Sequence, residues 1–392
     1  MGRLGEEMRK PCTLILADGS EFAGWSFGAD PLAPDAIGTD DIDPVGIGEV
    51  VFNTAMCGYH EVLTDPSYAG QIVAMTYPHI GNYGCDRAWG ETGPDEGKGG
   101  RPVKPAGYVT RALYDGPIPK GRTTLDEFLK SADVPAISGV DTRRLTLLLR
   151  TSGAQNGAIV ARDEKSEQLS ESARSAALAV LGGFPSMVGR NLIGEVGVAA
   201  ATIVNPDGAP SIALLDCGVK ANILRLLVGY GCRVVVLPSD SGPEALDREN
   251  VDALFISSGP GDPAVLDRQT EFVKSAVGKM PVLGICLGHQ LIARAIGAVT
   301  YKMKFGHHGV NHPVREEGTG RVFVTSQNHG FGVDEKTLPQ GCRVWFRNAN
   351  DGSIEGVRFD DLRLMTTQFH PESAPGPDDA LWIFDEFLKV VG

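Results

Sequence analysis

Cys286 lies in the run Gly284-Ile285-Cys286-Leu287-Gly288, after the apolar stretch Val282-Leu283-Gly284-Ile285 and before a helical pattern. A nucleophile between two glycines, leaving a buried strand and entering a helix, has the pattern of a nucleophile elbow. Such a turn strains the backbone, and the glycines remove the Cβ clashes it would cause. The dipole at a helix N-terminus favours the thiolate, which is the reactive form. The N–H of Leu287 is then free to bind an oxyanion. A cysteine after a strand is more often a plain core residue, and the paired glycines favour the elbow here.

A thiol nucleophile needs a base. His370-Pro371-Glu372 follows the strand-like run Leu364-Met365-Thr366-Thr367-Gln368-Phe369. In extended chain, residues i and i+2 point to the same side, and Pro371 keeps His370 out of the helical region. His370 and Glu372 can therefore face one site, with Glu372 fixing the imidazole tautomer and His370 taking the thiol proton. The chain has eight histidines, so one alone means little. His307, His308 and His312 are grouped as metal ligands can be, but no neighbouring carboxylate or cysteine completes the set and no metal site is expected.

Ser257-Ser258-Gly259-Pro260-Gly261-Asp262-Pro263 follows an apolar strand, at the carboxyl edge where α/β sheets bind ligands. Gly259 can offer a backbone N–H to an oxyanion there. The loop lacks the third glycine of a dinucleotide fingerprint, and no phosphate-binding G-x-x-x-x-G-K-[ST] exists, so ATP chemistry is not expected of this chain.

The elements that must position these residues divide the chain in two. From Ile212 onward, short apolar runs (212–215, 234–237, 253–256, 282–285) alternate with helical patterns over 219–228, near Glu244, over 264–279 and from His289. Strands alternating with helices give an α/β fold with a mostly parallel sheet covered on both faces. Shorter strand-like runs after Val322 read as additions to that sheet. The first half is mixed α+β: Asp18-Gly19 marks a hairpin, and 124–130, 143–150 and 166–181 read as helices. Gly90 to Lys104 reads as a surface loop and 195–210 as a linker, so the expected domains are 1–205 and 206–392.

The 392 residues are 42% hydrophobic and 22% charged, enough for two full cores. The net charge of −13 repels phosphate backbones, so no nucleic acid is expected as a partner; Arg143-Arg144 reads as a solvated helix face. No apolar run reaches the roughly 18 residues of a membrane span, and Met1 to Pro11 has no apolar signal core. Seven scattered cysteines, odd in number and without a CxxC pair, argue against a disulfide framework and point to the cytoplasm.

Three motifs in order, 257–263, Gly284 to Gln290 and His370-Pro371-Glu372, make the second half resemble the class I glutamine amidotransferase domain. The first half narrows the resemblance to the small subunit of carbamoyl phosphate synthetase. Residues 52–59, Phe52-Asn53-Thr54-Ala55-Met56-Cys57-Gly58-Tyr59, are similar to that family's signature, as are 76–82, 135–143, 216–220 and 326–331. The resemblance implies that Cys286 attacks the glutamine amide to form a glutamyl thioester. His370 then protonates ammonia and activates water, and Glu372 orients His370. Leu287 and Gly259 would hold the oxyanion; Ala55, Gly261, Gln290, Asn328, Gly330 and Phe331 would line the L-glutamine site. It further implies a large-subunit partner, in a heterodimer or higher oligomer, that receives ammonia through a tunnel. That partner would use ATP and Mg to make carbamoyl phosphate from bicarbonate for arginine and pyrimidine synthesis, with no cofactor in this chain. Four positions depart from the family's usual residues: Ala55 for Ser, Ser258 for Asn, Cys57 for Thr and His60 for Gln. A backbone oxyanion hole tolerates the change at Ser258, and Cys57 has no base beside it in sequence. The alternatives are the glutaminase of another synthase, which generally lacks this first half, a non-catalytic scaffold, and a free-standing cysteine hydrolase.

Overall fold

The computed structural model describes residues 9–34, 45–94, 101–164, 166 and 168–392. Most of Met1 to Pro11 and the middle of the Gly90 to Lys104 loop lie outside the described residues. Two compact units form: Met1–Thr64, Tyr68–Gly90 and Pro102–Met187 make the first, and Asp65–Ser67, Glu91–Arg101 and Val188–Gly392 the second.

In the first unit the strands are β1 (Pro11–Leu16), β2 (Glu21–Gly28), β3 (Ile47–Asn53), β4 (Gln71–Met75), β5 (His79–Ile80), β6 (Gly107–Val109), β7 (Ala112–Leu113), β8 (Pro135–Ser138) and β9 (Gln155–Ala161). Seven of them close a barrel in the order β1-β2-β8-β6-β4-β3-β9. Leu14, Leu16, Val50, Ile72, Val109 and Ile159 from these strands pack in one core. Asp18-Gly19 does turn a hairpin: β1 pairs antiparallel with β2, Ile15 opposite Glu21, and Gly19 takes the positive φ such a turn needs. The helices are α1 (Tyr59–Thr64), α2 (Leu125–Ser131), α3 (Thr142–Ser152) and α4 (Glu171–Gly183). Thr124 and Glu127 close a capping box at the start of α2. Helix α4 starts later than its pattern suggested, because the Ser170 hydroxyl caps the N–H of Ala173.

The second unit holds α5 (Ile193–Val196), α6 (Ala221–Gly229), α7 (Glu244–Glu249), α8 (Asp267–Ala276), α9 (Leu287–Ala295) and α10 (Trp382–Val391). Its strands are β10 (Thr202–Val204), β11 (Ser211–Asp216), β12 (Arg233–Pro238), β13 (Ala253–Ile256), β14 (Val282–Ile285), β15 (Thr300–Glu316), β16 (Val322–Val333), β17 (Arg343–Asn348), β18 (Ile354–Phe359) and β19 (Leu364–Thr367). They form one sheet, β10-β12-β11-β13-β14-β19-β18-β17-β15-β16. Strands β12, β11, β13, β14 and β19 run parallel; the rest add on antiparallel. Alternation along the parallel strands fills both faces. Ala213, Leu215, Val235 and Ile256 join Phe272 of α8 and Leu291 of α9 in one core. Ile212, Leu214, Val236 and Ile285 join Leu227 of α6 and Phe384 of α10 in the other.

Two expectations are corrected. The stretch 195–210 is not a bare linker, since β10 within it pairs with β12. Gly90 to Lys104 is not wholly a surface loop: Glu91 and Lys104 are 1% and 5% exposed, although Pro94 is exposed; the N–H of Asn222 donates to Glu91 at 3.0 Å. The long ribbon β15–β16 also begins well before Val322, where the sequence signals had started. Among the described residues, no helix is long and apolar enough to cross a membrane.

Candidate active site

Strand β14 ends at Ile285, α9 begins at Leu287, and Cys286 between them has φ 57° and ψ −106°. A non-glycine residue in that region costs about 1–3 kcal/mol and is held by its surroundings. The flanking glycines show why the turn is possible. A Cβ on Gly284 would meet Ile292 Cδ1 at 2.5 Å, and one on Gly288 would meet the Ile256 carbonyl oxygen at 2.2 Å. Cys286 is 2% exposed and its thiol faces the carbonyl oxygen of Asn328 at 3.4 Å.

Strand β19 is the parallel neighbour of β14, with Thr367 opposite Ile285. The Cys286 N–H donates to the Thr367 carbonyl at 2.8 Å. Three residues further on, the His370 N–H donates to the Ser326 carbonyl of β16 at 2.9 Å. Sheet order thus carries His370 to the same carboxyl edge as Cys286. His370 Nδ1 lies 2.6 Å from Glu372 Oε1. Among the described residues Nε2 finds no hydrogen-bond partner of ordinary geometry, although the Cys286 sulfur is near enough to act on the ring.

The electrostatics follow from this packing. Burial alone would lower the pKa of His370, but the Glu372 carboxylate and the Cys286 sulfur outweigh it and raise the imidazole to about 10. For Glu372, burial favours the neutral form, and Lys220 with His370 overcomes it to hold the carboxyl down at about 2. Lys220 is a member of the site that sequence reasoning missed. Its Nζ lies 3.2 Å from Glu372 Oε1 with both side chains buried, and it also donates to the Ser373 carbonyl. Burial works against the ammonium, but Glu372, Glu91 and Asp65 keep it charged. A lysine 152 positions before its carboxylate gives no local signal (372 − 220).

Around this centre, Gly259 packs against the elbow. A Cβ there would meet the Cys217 carbonyl oxygen at 2.1 Å and Leu287 Cδ2 at 3.0 Å. The Gln290 amide donates to the Phe331 carbonyl at 2.9 Å and to Gln368 Oε1 at 3.0 Å. Asn328 donates to Asp65 at 3.0 Å and lies 3.0 Å from His308 Nδ1. Gly330 approaches Lys302, whose Nζ sits 4.9 Å from the centre of the Phe331 ring. Gly261 has φ +90° and packs on the Arg190 carbonyl. Ala55 belongs to the first unit, where its N–H donates to Asn53 Oδ1 at 2.7 Å.

The grouped histidines only partly stay together. His308 turns to Asn328, whereas His307 keeps His312 beside it, with ring centres 5.3 Å apart, and joins Asp351 of the turn after β17, Glu355 of β18 and His329 of β16. Burial opposes charge on His307, but Asp351 and Glu355 raise it to about 9. His329 is lowered to about 3 by burial. The carboxylate that the sequence did not offer nearby arrives on β18.

The family profile "Glutamine amidotransferase class-I" matches residues 213–390, and "Carbamoyl-phosphate synthase small chain, CPSase domain" matches 14–159. The carbamoyl phosphate synthase small chain of Pseudomonas syringae pv. tomato is 44% identical over 405 residues, spanning 98% of this chain and 99% of its own. That of Archaeoglobus fulgidus is 42% identical over 379 residues, spanning 96% and 98%. Among solved structures, a glutamine amidotransferase from Thermotoga maritima covers 41% of this chain and 76% of its own, at 19% identity and a TM-score of 0.35. The chain belongs to the carbamoyl phosphate synthase small chain family, with the glutamine-hydrolysing amidotransferase domain of that family in its second half.

Proposed function

We propose that Cys286, His370 and Glu372 hydrolyse L-glutamine and that this chain hands the ammonia to the large chain of a carbamoyl phosphate synthase. The observation that carries the reading is the 2.6 Å contact of His370 Nδ1 with Glu372, made beside a strained Cys286. Glu372 accepts a hydrogen bond from the Nδ1–H and stays ionised, so Nε2 is the nitrogen that exchanges a proton with the sulfur. The thiolate attacks the side-chain amide carbon, and the carbonyl electrons move to oxygen, where the N–H groups of Leu287 and Gly259 receive the charge. Collapse of that adduct breaks the C–N bond as His370 gives its proton to nitrogen, leaving ammonia and a glutamyl thioester. His370 then takes a proton from water, which attacks the thioester to release glutamate and the thiolate.

Gln290, Asn328, Gly330, Phe331, Gly261 and Ala55 are the residues assigned to glutamine in this reading. The large chain would combine the ammonia with bicarbonate, using ATP and Mg, for arginine and pyrimidine synthesis in the cytoplasm. No cofactor is assigned to this chain. The test is glutamate release by the purified chain, alone and with the large chain, ATP and bicarbonate. Weak release that rises strongly in the complex supports the reading. Release indifferent to the partner points to another synthase or a free hydrolase, and no release in either case points to a scaffold.

A further inference from the structure

Helix α6 is not capped from within its own segment. Lys220 occupies its N-cap position and makes no side-chain bond to the helix N–H groups, where Ser, Thr, Asp or Asn is preferred. Its Nζ is engaged with Glu372 and with the Ser373 carbonyl instead. The first N–H groups of a helix have no partner inside it, and Glu91 takes two of them from another part of the chain. Its carbonyl accepts from the Ala221 N–H at 3.0 Å. Its carboxylate Oε2 accepts from the Asn222 N–H, also at 3.0 Å. The other oxygen, Oε1, meets Arg225 Nη1 further along α6 at 2.7 Å.

The chain on either side is fitted to this contact. Thr92 forms an isolated antiparallel bridge with Lys220. A Cβ on Gly93 would meet Val219 Cγ1 at 2.7 Å and the Val219 carbonyl oxygen at 3.0 Å, so the backbone lies closer than a side chain would permit. Glu91 is itself buried. Burial pushes its carboxyl up to about 7, while Lys220 and Arg225 pull it down. A carboxylate kept in such a place needs hydrogen bonds and a cation close by, and the start of α6 supplies both.

Two side chains leave that same turn for one target. Lys220 Nζ pairs with Glu372 Oε1 at 3.2 Å, and the Asn222 side-chain amide donates to the Glu372 carbonyl oxygen. Glu372 Oε1 in turn lies 2.6 Å from His370 Nδ1. We propose that Glu91 is a positioning residue for the triad: by capping α6 from outside, it releases position 220 for a lysine and fixes the turn from which Lys220 and Asn222 hold Glu372. The inference rests on the glutaminase reading of Cys286, His370 and Glu372. Its action runs through Glu372. The charges facing that carboxylate are Lys220 and His370, and those facing the imidazole are Glu372 and the Cys286 sulfur. A loosened hold lets the buried carboxyl rise, and a less ionised Glu372 raises the imidazole less. The rival reading is that Glu91 contributes charge alone.

The test measures glutamine hydrolysis against pH by the chain in complex with the large chain, ATP and bicarbonate, for the wild type, Glu91→Ala and Glu91→Gln. Glu91→Ala should lower kcat by roughly 2–30-fold, the range that a lost helix cap spans, with KM little changed. It should also move the basic limb, set by an imidazole raised to about 10, to lower pH. That limb lies above the value of about 7 for Glu91, so Glu91 is ionised throughout the range compared. Glu91→Gln keeps an acceptor oxygen at the same reach and should recover most of both effects. Synthesis from added ammonia should stay at the wild-type rate in both variants, which shows that they fold and assemble. An unmoved limb in Glu91→Ala, or a loss of ammonia-dependent synthesis that matches the loss of glutamine use, would overturn the proposal and leave Glu91 a structural residue. An equal shift in Glu91→Gln would overturn it in favour of charge. Absence of hydrolysis by the wild-type complex would overturn the glutaminase reading, and this inference with it.

Discussion

Lys220 Nζ lies 3.2 Å from Glu372 Oε1, and the two side chains are 2% and 0% exposed. The ammonium therefore stabilises the carboxylate that holds the His370 imidazole. Lys220→Met leaves that carboxylate buried without its strongest cation, at a cost of roughly 3–5 kcal/mol. Glu372 is depressed from 4.5 to about 2, so its contribution is present above 4.5 and lost as pH falls through about 2. In the variant the carboxyl rises, so the loss of Tm should be largest near neutral pH and shrink as the buffer is made acidic. Thermal unfolding of both proteins from pH 4 to pH 8 checks this; an equal loss at every pH would mean that Lys220 acts by packing.

The pH range of glutamine hydrolysis should follow His370. The imidazole is raised from 6.5 to about 10, so the stability it contributes is complete below 6.5 and is lost as pH rises through about 10. In the proposed reaction its proton is also the one given to the leaving ammonia. The rate should therefore hold well above neutrality and decline on approach to that upper value. Glu372→Gln removes the main charge that raises the imidazole, so the decline should move to lower pH. General acid–base function should fall by about 10²–10⁴-fold. Profiles of kcat/KM against pH for the two proteins decide it, and an unmoved basic limb would detach Glu372 from His370.

Cys286→Ser should reduce glutamine-dependent synthesis by about 10³-fold or more. Synthesis from added ammonia in the reconstituted complex should survive, because the thiol takes no part once ammonia is supplied. Loss of both activities would make Cys286 a structural residue.

The site was legible where the chemistry is local. Gly284, Cys286 and Gly288 form one turn, as their spacing suggested; His370 and Glu372 also meet, but through a turn over Pro371 and Glu372, closed by the Ser373 N–H donating to the His370 carbonyl at 3.2 Å, rather than by alternation along an extended segment. The helix and strand pattern over 212–295 was equally readable, because buried parallel strands are unbroken apolar runs. What spacing cannot give is pairing across the sheet. Lys220 reaches Glu372 from the loop after β11, and Glu355 reaches His307 from β18. Neither pair has a sequence period. The same limit hid β10, whose three residues are too few to show alternation.

The elbow glycines give the last prediction, since they act through volume. A Cβ at Gly288 would stand 2.2 Å from the Ile256 carbonyl oxygen, and one at Gly259 would stand 2.1 Å from that of Cys217. Neither obstacle is a flexible side chain, so the backbone itself has to move. Overpacking of this kind costs about 1–3 kcal/mol, and at Gly288 the strain falls on the turn that aims the thiol. Gly288→Ala should therefore lower Tm and depress kcat well beyond what the lost stability explains at assay temperature. Gly182→Ala is the control: it lies within α4 with nothing within 4 Å of the added carbon. There the exchange should raise helix stability by about 0.5–1 kcal/mol. Calorimetry and glutaminase rates on both variants check the contrast, and a harmless Gly288→Ala would show that the turn has room the geometry denies it.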